Sequence, residues 1–299
     1  MKEKKFFCVS NHAFHKSYMK KAVIVIFAGL LTVVTQAQDM NSYVQEGEFG
    51  VAVGAAHYYG DLNNRASVNR PKLSAGVFFR KQFGNYLGVK VAANYARLGY
   101  SDTYSKNEVQ KLRNLSFNTN IWEFSVSGDF NFFKFYPGMS GFTYTPYVSL
   151  GVGVFSYDPF AYLDGQKYFL RPLGTEGQGS AAYPDRKPYS SMGFCIPVAI
   201  GFKYNVNQTV NVFAEVGYRF TNSDYIDDVS TTYAPDAFNP LPGGDPSPAM
   251  RLADRSVEYS GTPMGIKGRQ RGNSAQKDGY AIAQVGVSFN ISSYRCPRF

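Results

Sequence analysis

Chemistry needs a base, a nucleophile, a set of metal ligands or a phosphate cradle, and this 299-residue chain offers few residues for any of them. Its histidines are His12, His15 and His57, and only His57 lies beyond the first 37 residues. A lipid hydrolase built on this chain would need His57 to act with a nearby Ser or carboxylate. Flanked by Tyr58 and Tyr59, His57 reads instead as an interfacial side chain near a strand end. Gly-x-Ser-x-Gly elbows, phosphate loops and dinucleotide fingerprints do not occur. The run Asp224-Tyr225-Ile226-Asp227-Asp228 groups three carboxylates whose oxygens could hold calcium, but it lacks the glycine and terminal Glu of a helix-loop-helix site. It reads as a solvated, turn-forming loop start. No zinc ligand cluster is available. The expectation is a chain with no catalytic, cofactor-binding or metal-binding residues, and no enzyme.

The elements that would position any site show a period of two. Phe194, Ile196, Val198, Ile200, Phe202 and Tyr204 alternate with Cys195, Pro197, Ala199, Gly201 and Lys203. Val210, Val212, Ala214, Val216, Tyr218 and Phe220 likewise oppose Asn211, Phe213, Glu215, Gly217, Arg219 and Thr221. Trp122, Phe124, Val126, Phe130 and Phe132 oppose Glu123, Ser125, Ser127, Asp129 and Asn131. Weaker alternation covers about 47 to 60, 72 to 83, 86 to 99, 145 to 156 and 280 to 291, which makes eight strands long enough to cross a bilayer at a tilt.

Connections fix the topology. Phe83 to Tyr86, Phe135 to Phe142 and Asn205 to Thr209 are short, whereas about 61 to 71, 100 to 117, 157 to 192 and 222 to 278 are long. Strict alternation of short and long predicts an all-β, eight-stranded antiparallel transmembrane β-barrel in the outer membrane, with short periplasmic turns, long external loops and both termini periplasmic. A soluble sandwich would bury the apolar face. Here the other face carries Arg80, Lys90, Glu123, Asp129, Lys203, Glu215 and Arg219, which would pair inside a barrel too narrow to stay open. Tyr58, Tyr59, Tyr95, Tyr100, Phe133, Tyr136, Tyr157 and Tyr225 fall near strand ends, where aromatic girdles belong. Gln284, Gly286, Phe289 and Ile291 resemble the C-terminal signal read by the outer-membrane assembly machinery. Cys195 and Cys296 then sit near opposite rims, so no bridge between them is expected.

The N-terminus is an address. Lys20 and Lys21, the apolar run Ala22 to Val34 and Thr35-Gln36-Ala37 form a signal peptide over 19–37, with cleavage expected after Ala37 and the mature barrel over 38–299. Residues 1–18 read as a mis-annotated extension ahead of a physiological start at Met19. The formal charge of +9 owes +5 to residues 1–37, and no dense basic block follows, which argues against nucleic acid as a partner.

Several blocks carry a family resemblance. Glu48-Phe49-Gly50 leading to Tyr58-Tyr59-Gly60-Asp61-Leu62-Asn63 resembles the first strand and loop of PorG-like proteins, the outer-membrane barrels of type IX secretion. Pro197 to Asn205, Glu215 to Arg219 running into Asp224 to Tyr233, and Cys296-Pro297 are similar to the same family, and the 215 to 233 block is the most specific. The resemblance implies a non-enzymatic part of the secretion and gliding machinery, associated with a periplasmic ring of PorK and PorN through the short turns and the tail Ser292 to Phe299. A stand-alone barrel resembling OmpX or OmpW, binding surface partners through its long loops, is the alternative.

Overall fold

A computed structural model describes residues 43–137, 139, 141–240 and 244–294; residues 1–42 and 295–299, on which the expected signal peptide, the expected extension before it and Cys296 fall, lie outside them. Ten strands are present among the described residues: β1 (Tyr43–Tyr59), β2 (Lys72–Phe83), β3 (Leu87–Ser101), β4 (Ser116–Asn131), β5 (Tyr144–Ser156), β6 (Phe160–Leu163), β7 (Gln166–Phe169), β8 (Met192–Asn205), β9 (Val210–Thr221) and β10 (Gly279–Tyr294). Eight of them pair antiparallel in the circular order β1-β2-β3-β4-β5-β8-β9-β10, and β10 closes on β1 from Tyr59↔Gly279 to Tyr43↔Tyr294. The fold is a closed eight-stranded barrel.

Pleat parity decides which side chains meet which solvent. Outward positions are apolar and exposed, with Val152 at 67%, Phe194 at 67% and Trp122 at 64% accessibility. Inward positions are polar and buried, including Glu48, Arg80, Asp129, Lys203 and Arg219. This inside-out arrangement is stable only where the surroundings are hydrocarbon, because an apolar wall of this extent would drive association in water.

The two ends differ. At one end the connections are tight; Gly84 turns β2 into β3 with φ +68°, the left-handed conformation that a residue without Cβ adopts at no steric cost. At the other end the strands outrun the apolar band and the long segments fold into a cap. The 100 to 117 connection proves shorter than the alternation suggested, because β3 and β4 pair as far as Ser101↔Ser116, and helix α1 (Glu108–Arg113) spans the gap. The 157–192 segment carries the extra hairpin β6–β7, and the 222–278 segment carries short helices α2 (Pro248–Ala253) and α3 (Val257–Ser260). Tyr58, Leu62, Phe117, Ile121, Phe155, Tyr157, Leu163, Ile226, Val229, Leu252 and Tyr280 form one buried cluster beneath these loops. Tyr58, Tyr100 and Tyr157 therefore belong to the cap core and not to an aromatic girdle: they lie on inward-facing positions that the folded loops cover.

Candidate functional site: a filled lumen under a buried acidic cap

In the lumen, alternate residues of neighbouring strands bring opposite charges to the same level. The Arg80 guanidinium contacts Glu48 and reaches Asp129 with Nε–Oδ2 2.6 Å. Lys90 Nζ lies 2.6 Å from Glu215 Oε2, which also accepts from the Tyr147 hydroxyl at 2.8 Å. Glu123 accepts from Arg219 Nε at 3.1 Å, Tyr280 OH at 2.7 Å and Asn94 Nδ2 at 2.9 Å. Lys203 Nζ sits over the Tyr147 ring at 4.8 Å and the Phe135 ring at 5.6 Å, so the turn residue Phe135 closes the short-turn mouth. Four cations thus stand among four carboxylates, Glu48, Glu123, Asp129 and Glu215. The space left between them is about 20 Å³, room for roughly one water. An ion would have to break these pairs to pass.

The cap is built differently. Asp224, Asp227 and Asp228 are 4%, 1% and 0% exposed, which corrects the reading of this run as a solvated loop start. Their partners come from distant segments. Asp227 Oδ2 and Asp278 Oδ1 lie 2.5 and 2.9 Å from the Tyr58 hydroxyl. One phenol hydroxyl thus stands between two carboxyls, and both accept from it. Burial, and then the mutual repulsion of these neighbouring carboxyls, holds Asp227 well above the usual carboxylate range, and burial does the same for Asp278. The remaining oxygens accept from backbone: Val229 N on Asp227 at 2.9 Å, Ile226 N on Asp278 at 2.9 Å.

Asp228, at φ +67°, accepts from the Thr175 hydroxyl and from Tyr189 OH at 2.7 Å, and burial pushes it up to about 6 against the pull of Arg271. Glu176 accepts from Ser230 N at 2.9 Å, Thr231 N at 3.0 Å and Arg271 Nη1 at 3.1 Å. Asp61 accepts from Asn273 N at 2.8 Å, and burial raises it to about 6. Arg113 pairs with both oxygens of Asp102 at 2.7 Å and donates to the Arg271 carbonyl at 2.6 Å, tying α1 to the last loop. The rings of Tyr157, Tyr189 and Tyr225 stack with interplanar angles of 2° and 6°. The Asp224 to Tyr233 run thus joins the 157–192 and 271–278 segments into one body, to which Asp61 ties the 60–71 segment through Asn273 N.

His57 points outward from β1 but is covered by the 60–71 loop. Its Nε2 is 2.6 Å from the Ser67 carbonyl and 3.2 Å from Asn63 Nδ2, and its ring packs edge-on against Tyr59. These neighbours anchor a loop and offer no nucleophile or carboxylate to the imidazole. Cys195 is buried below the cap. Among the described residues no group of three or more His, Cys, Asp and Glu is arranged to hold a metal ion. Sequence reasoning identified the lumen charges, assigned Tyr58 to a girdle, and missed the parts played by Asp61, Glu176, Arg271 and Asp278. One signal could have pointed to the last of these: Asp278 immediately precedes β10, opposite the strand end that carries Tyr58.

Residues 20–245 match the family described as "Domain of unknown function (DUF6089)". No curated protein matches. Among solved structures, the chain is similar to Neisserial surface protein A (NspA), at 10% identity and TM-score 0.41, over 83% of this chain and 99% of that one. It is also similar to the outer membrane protein OprG of Pseudomonas aeruginosa, at 10% identity and TM-score 0.35 over 84% and 98% of the two chains. Ail, the attachment invasion locus protein of Yersinia pestis, aligns at 11% identity and TM-score 0.36 over 82% and 99%.

Proposed function

This chain belongs to the DUF6089 family, and from the geometry above we propose that it is a non-enzymatic, non-conducting scaffold integral to the outer membrane. The observation that carries this reading is the lumen, where paired charges leave about 20 Å³ free. The long-loop cap faces outward in this proposal, and the short turns and both termini face the periplasm, as expected for an outer-membrane barrel. The resemblance to PorG-like proteins then makes it a component of type IX secretion and gliding. The turns at Phe83 to Tyr86, Phe135 to Phe142 and Asn205 to Thr209, with the C-terminal tail, would meet a PorK/PorN-like ring. The Asp224 to Tyr233 block is compatible with ring contacts at the opposite end, because its side chains hold the cap together and need no partner.

A second reading, a stand-alone barrel binding surface partners, is favoured by one observation: the long loops form a packed body with its own apolar cluster. A tagged copy purified from detergent-solubilised outer membranes and examined by mass spectrometry separates the two. Co-purification of PorK and PorN homologues, with crosslinks to the three turns, supports the secretion reading. Recovery of the barrel alone, under conditions that keep the ring intact, overturns it in favour of the second. Single-channel steps in a planar bilayer would overturn the non-conducting scaffold itself.

A further inference from the structure

The outer wall carries a groove of about 510 Å³ where β2, β3 and β4 emerge beneath the β6–β7 hairpin. Its floor is polar. Lys72 Nζ crosses the face of Gly99, where an added Cβ would stand 2.6 Å away, and donates to Asn118 Oδ1 at 2.5 Å. Arg97 Nε donates to Tyr95 OH at 3.1 Å, and Asn120 lies opposite Arg97 in the β3–β4 register. Phe160 and Tyr162 roof the groove, and Lys167 Nζ rests over the Phe160 ring at 3.8 Å. Among the described residues, none of these three cations makes an ion pair. In the lumen, Arg80, Lys90 and Arg219 each face a carboxylate. Here Lys72 and Arg97 share a groove with amides, aromatic rings, Thr119 and two leucines, and no carboxylate lines it.

Height on the barrel says what meets this groove. The exposed apolar side chains of β4 and the turn after it run from Trp122 to Phe132. At about 3.4 Å per residue and a tilt of about 40°, that stretch rises about 26 Å, close to the apolar band of about 25 Å that such barrels show. Asn120, Asn118 and Arg97 stand just beyond its edge, one register step past the packed Tyr95 and Trp122 rings, whose centroids are 4.8 Å apart. Leu73, 59% exposed, continues the lipid-facing wall into the groove. A ligand with acyl chains against the apolar band therefore has its headgroup at the level of Lys72 and Arg97.

We infer that this groove binds the phosphorylated headgroup of an outer-leaflet glycolipid, with Lys72 and Arg97 taking the phosphate and the Phe160–Tyr162 edge packing over the sugar. The pairing is charge-assisted: ammonium and guanidinium donors meet phosphate oxygens. Lipid is the source, because the groove is continuous with the hydrocarbon-facing wall. The assignment rests on the proposed orientation, in which the cap end lies at the outer leaflet.

The test uses the full-length protein in nanodiscs containing bisphosphorylated lipid A, with bound lipid counted by native mass spectrometry. A Lys72→Gln/Arg97→Gln variant keeps polar groups on the wall, and heat-modifiable gel mobility verifies that it folds. Each cation near a surface is worth about fivefold in anionic-lipid affinity, so the double variant should retain lipid A about 25-fold less than the parent. A Lys187→Gln/Lys277→Gln variant on the cap should retain it unchanged. Lipid A stripped of its phosphates should bind the parent as weakly as the double variant binds the intact lipid, and inorganic phosphate should compete poorly. Equal retention by parent and double variant overturns the site, and effective competition by inorganic phosphate overturns lipid as its occupant. Protease accessibility of a tag in the 222–278 loop on whole cells tests orientation separately; a protected tag would remove the outer-leaflet assignment while leaving any lipid binding in nanodiscs intact.

Discussion

The lumen and the cap are both packed with ionisable side chains away from water, yet they neutralise charge by opposite means. In the lumen, carboxylates face guanidinium and ammonium groups directly, as in Arg80 between Glu48 and Asp129. In the cap, carboxyls crowd one another and are satisfied mainly by hydroxyls and backbone N–H groups, as in Asp227 and Asp278 around Tyr58. Where hydrogen bonds stand in place of a cation, as at Asp227 and Asp278, or the cation stands off, as Arg271 does at 3.7 Å from Asp228, burial dominates and raises the carboxyls. One chain therefore joins a lumen built on facing charges to a cap whose carboxyls respond to pH.

Breaking the lumen side should have the largest effect. Arg80→Met leaves Glu48 and Asp129 without their shared cation, and removing one partner of a buried pair costs about 3 to 5 kcal/mol. The loss should appear in urea unfolding followed by gel mobility. A cost below about 1 kcal/mol would mean that side-chain pairing contributes little to the barrel.

The pH response sharpens the contrast on the cap side. Asp228 titrates near about 6 in the folded cap and near 3.8 in the open chain, so the folded form holds its proton more tightly. Stability from this group is full below about pH 4, declines as pH rises, and is gone above about pH 6, a swing of about 2 to 3 kcal/mol. Asp61 acts in the same direction and more weakly, because water screens it. Limited proteolysis of the 157–192 and 222–278 loops should be slower at pH 4.5 than at pH 7.5, with barrel mobility on gels unchanged. The opposite order would show that ion pairs, and not protonated carboxyls, dominate the cap.

Tyr58→Phe should have the smallest effect. It removes the hydroxyl that two carboxyls share, at about 1 to 3 kcal/mol for the unsatisfied groups left behind. Faster hydrogen exchange at the Ile226 and Val229 amides, with β5 and β8 amides unaffected, is the expected signature. Spread of the effect into the barrel would mean that cap and lumen unfold as one unit.

The barrel was legible because its information is local: period two in β4, β8 and β9 names the lumen residues one by one. Even the pairing of charges followed from the width of an eight-stranded lumen. The cap was not legible, because Asp, Ser and Tyr are the same residue types that form solvated turns. What buries Asp228 is Thr175 and Tyr189, and what buries Asp227 is Tyr58 and Asp278, contacts that no local spacing announces. Tyr58 shows the confusion at one residue: a tyrosine at a strand end belongs to a girdle when the loop beyond it is open, and to a core when that loop folds over it.

Closure of β10 on β1 carries a consequence for biogenesis. Until Gly279–Tyr294 has been synthesised, Tyr43–Tyr59 has one neighbour and an open edge, and a chain lacking the last strand has two unsatisfied edges in place of one missing wall. Open edges recruit other strands and cannot stand in hydrocarbon. Insertion is therefore all-or-none with respect to the end of the chain: a truncation before residue 279 yields no partial barrel, and the whole polypeptide must be kept apart from its own copies until its last strand arrives.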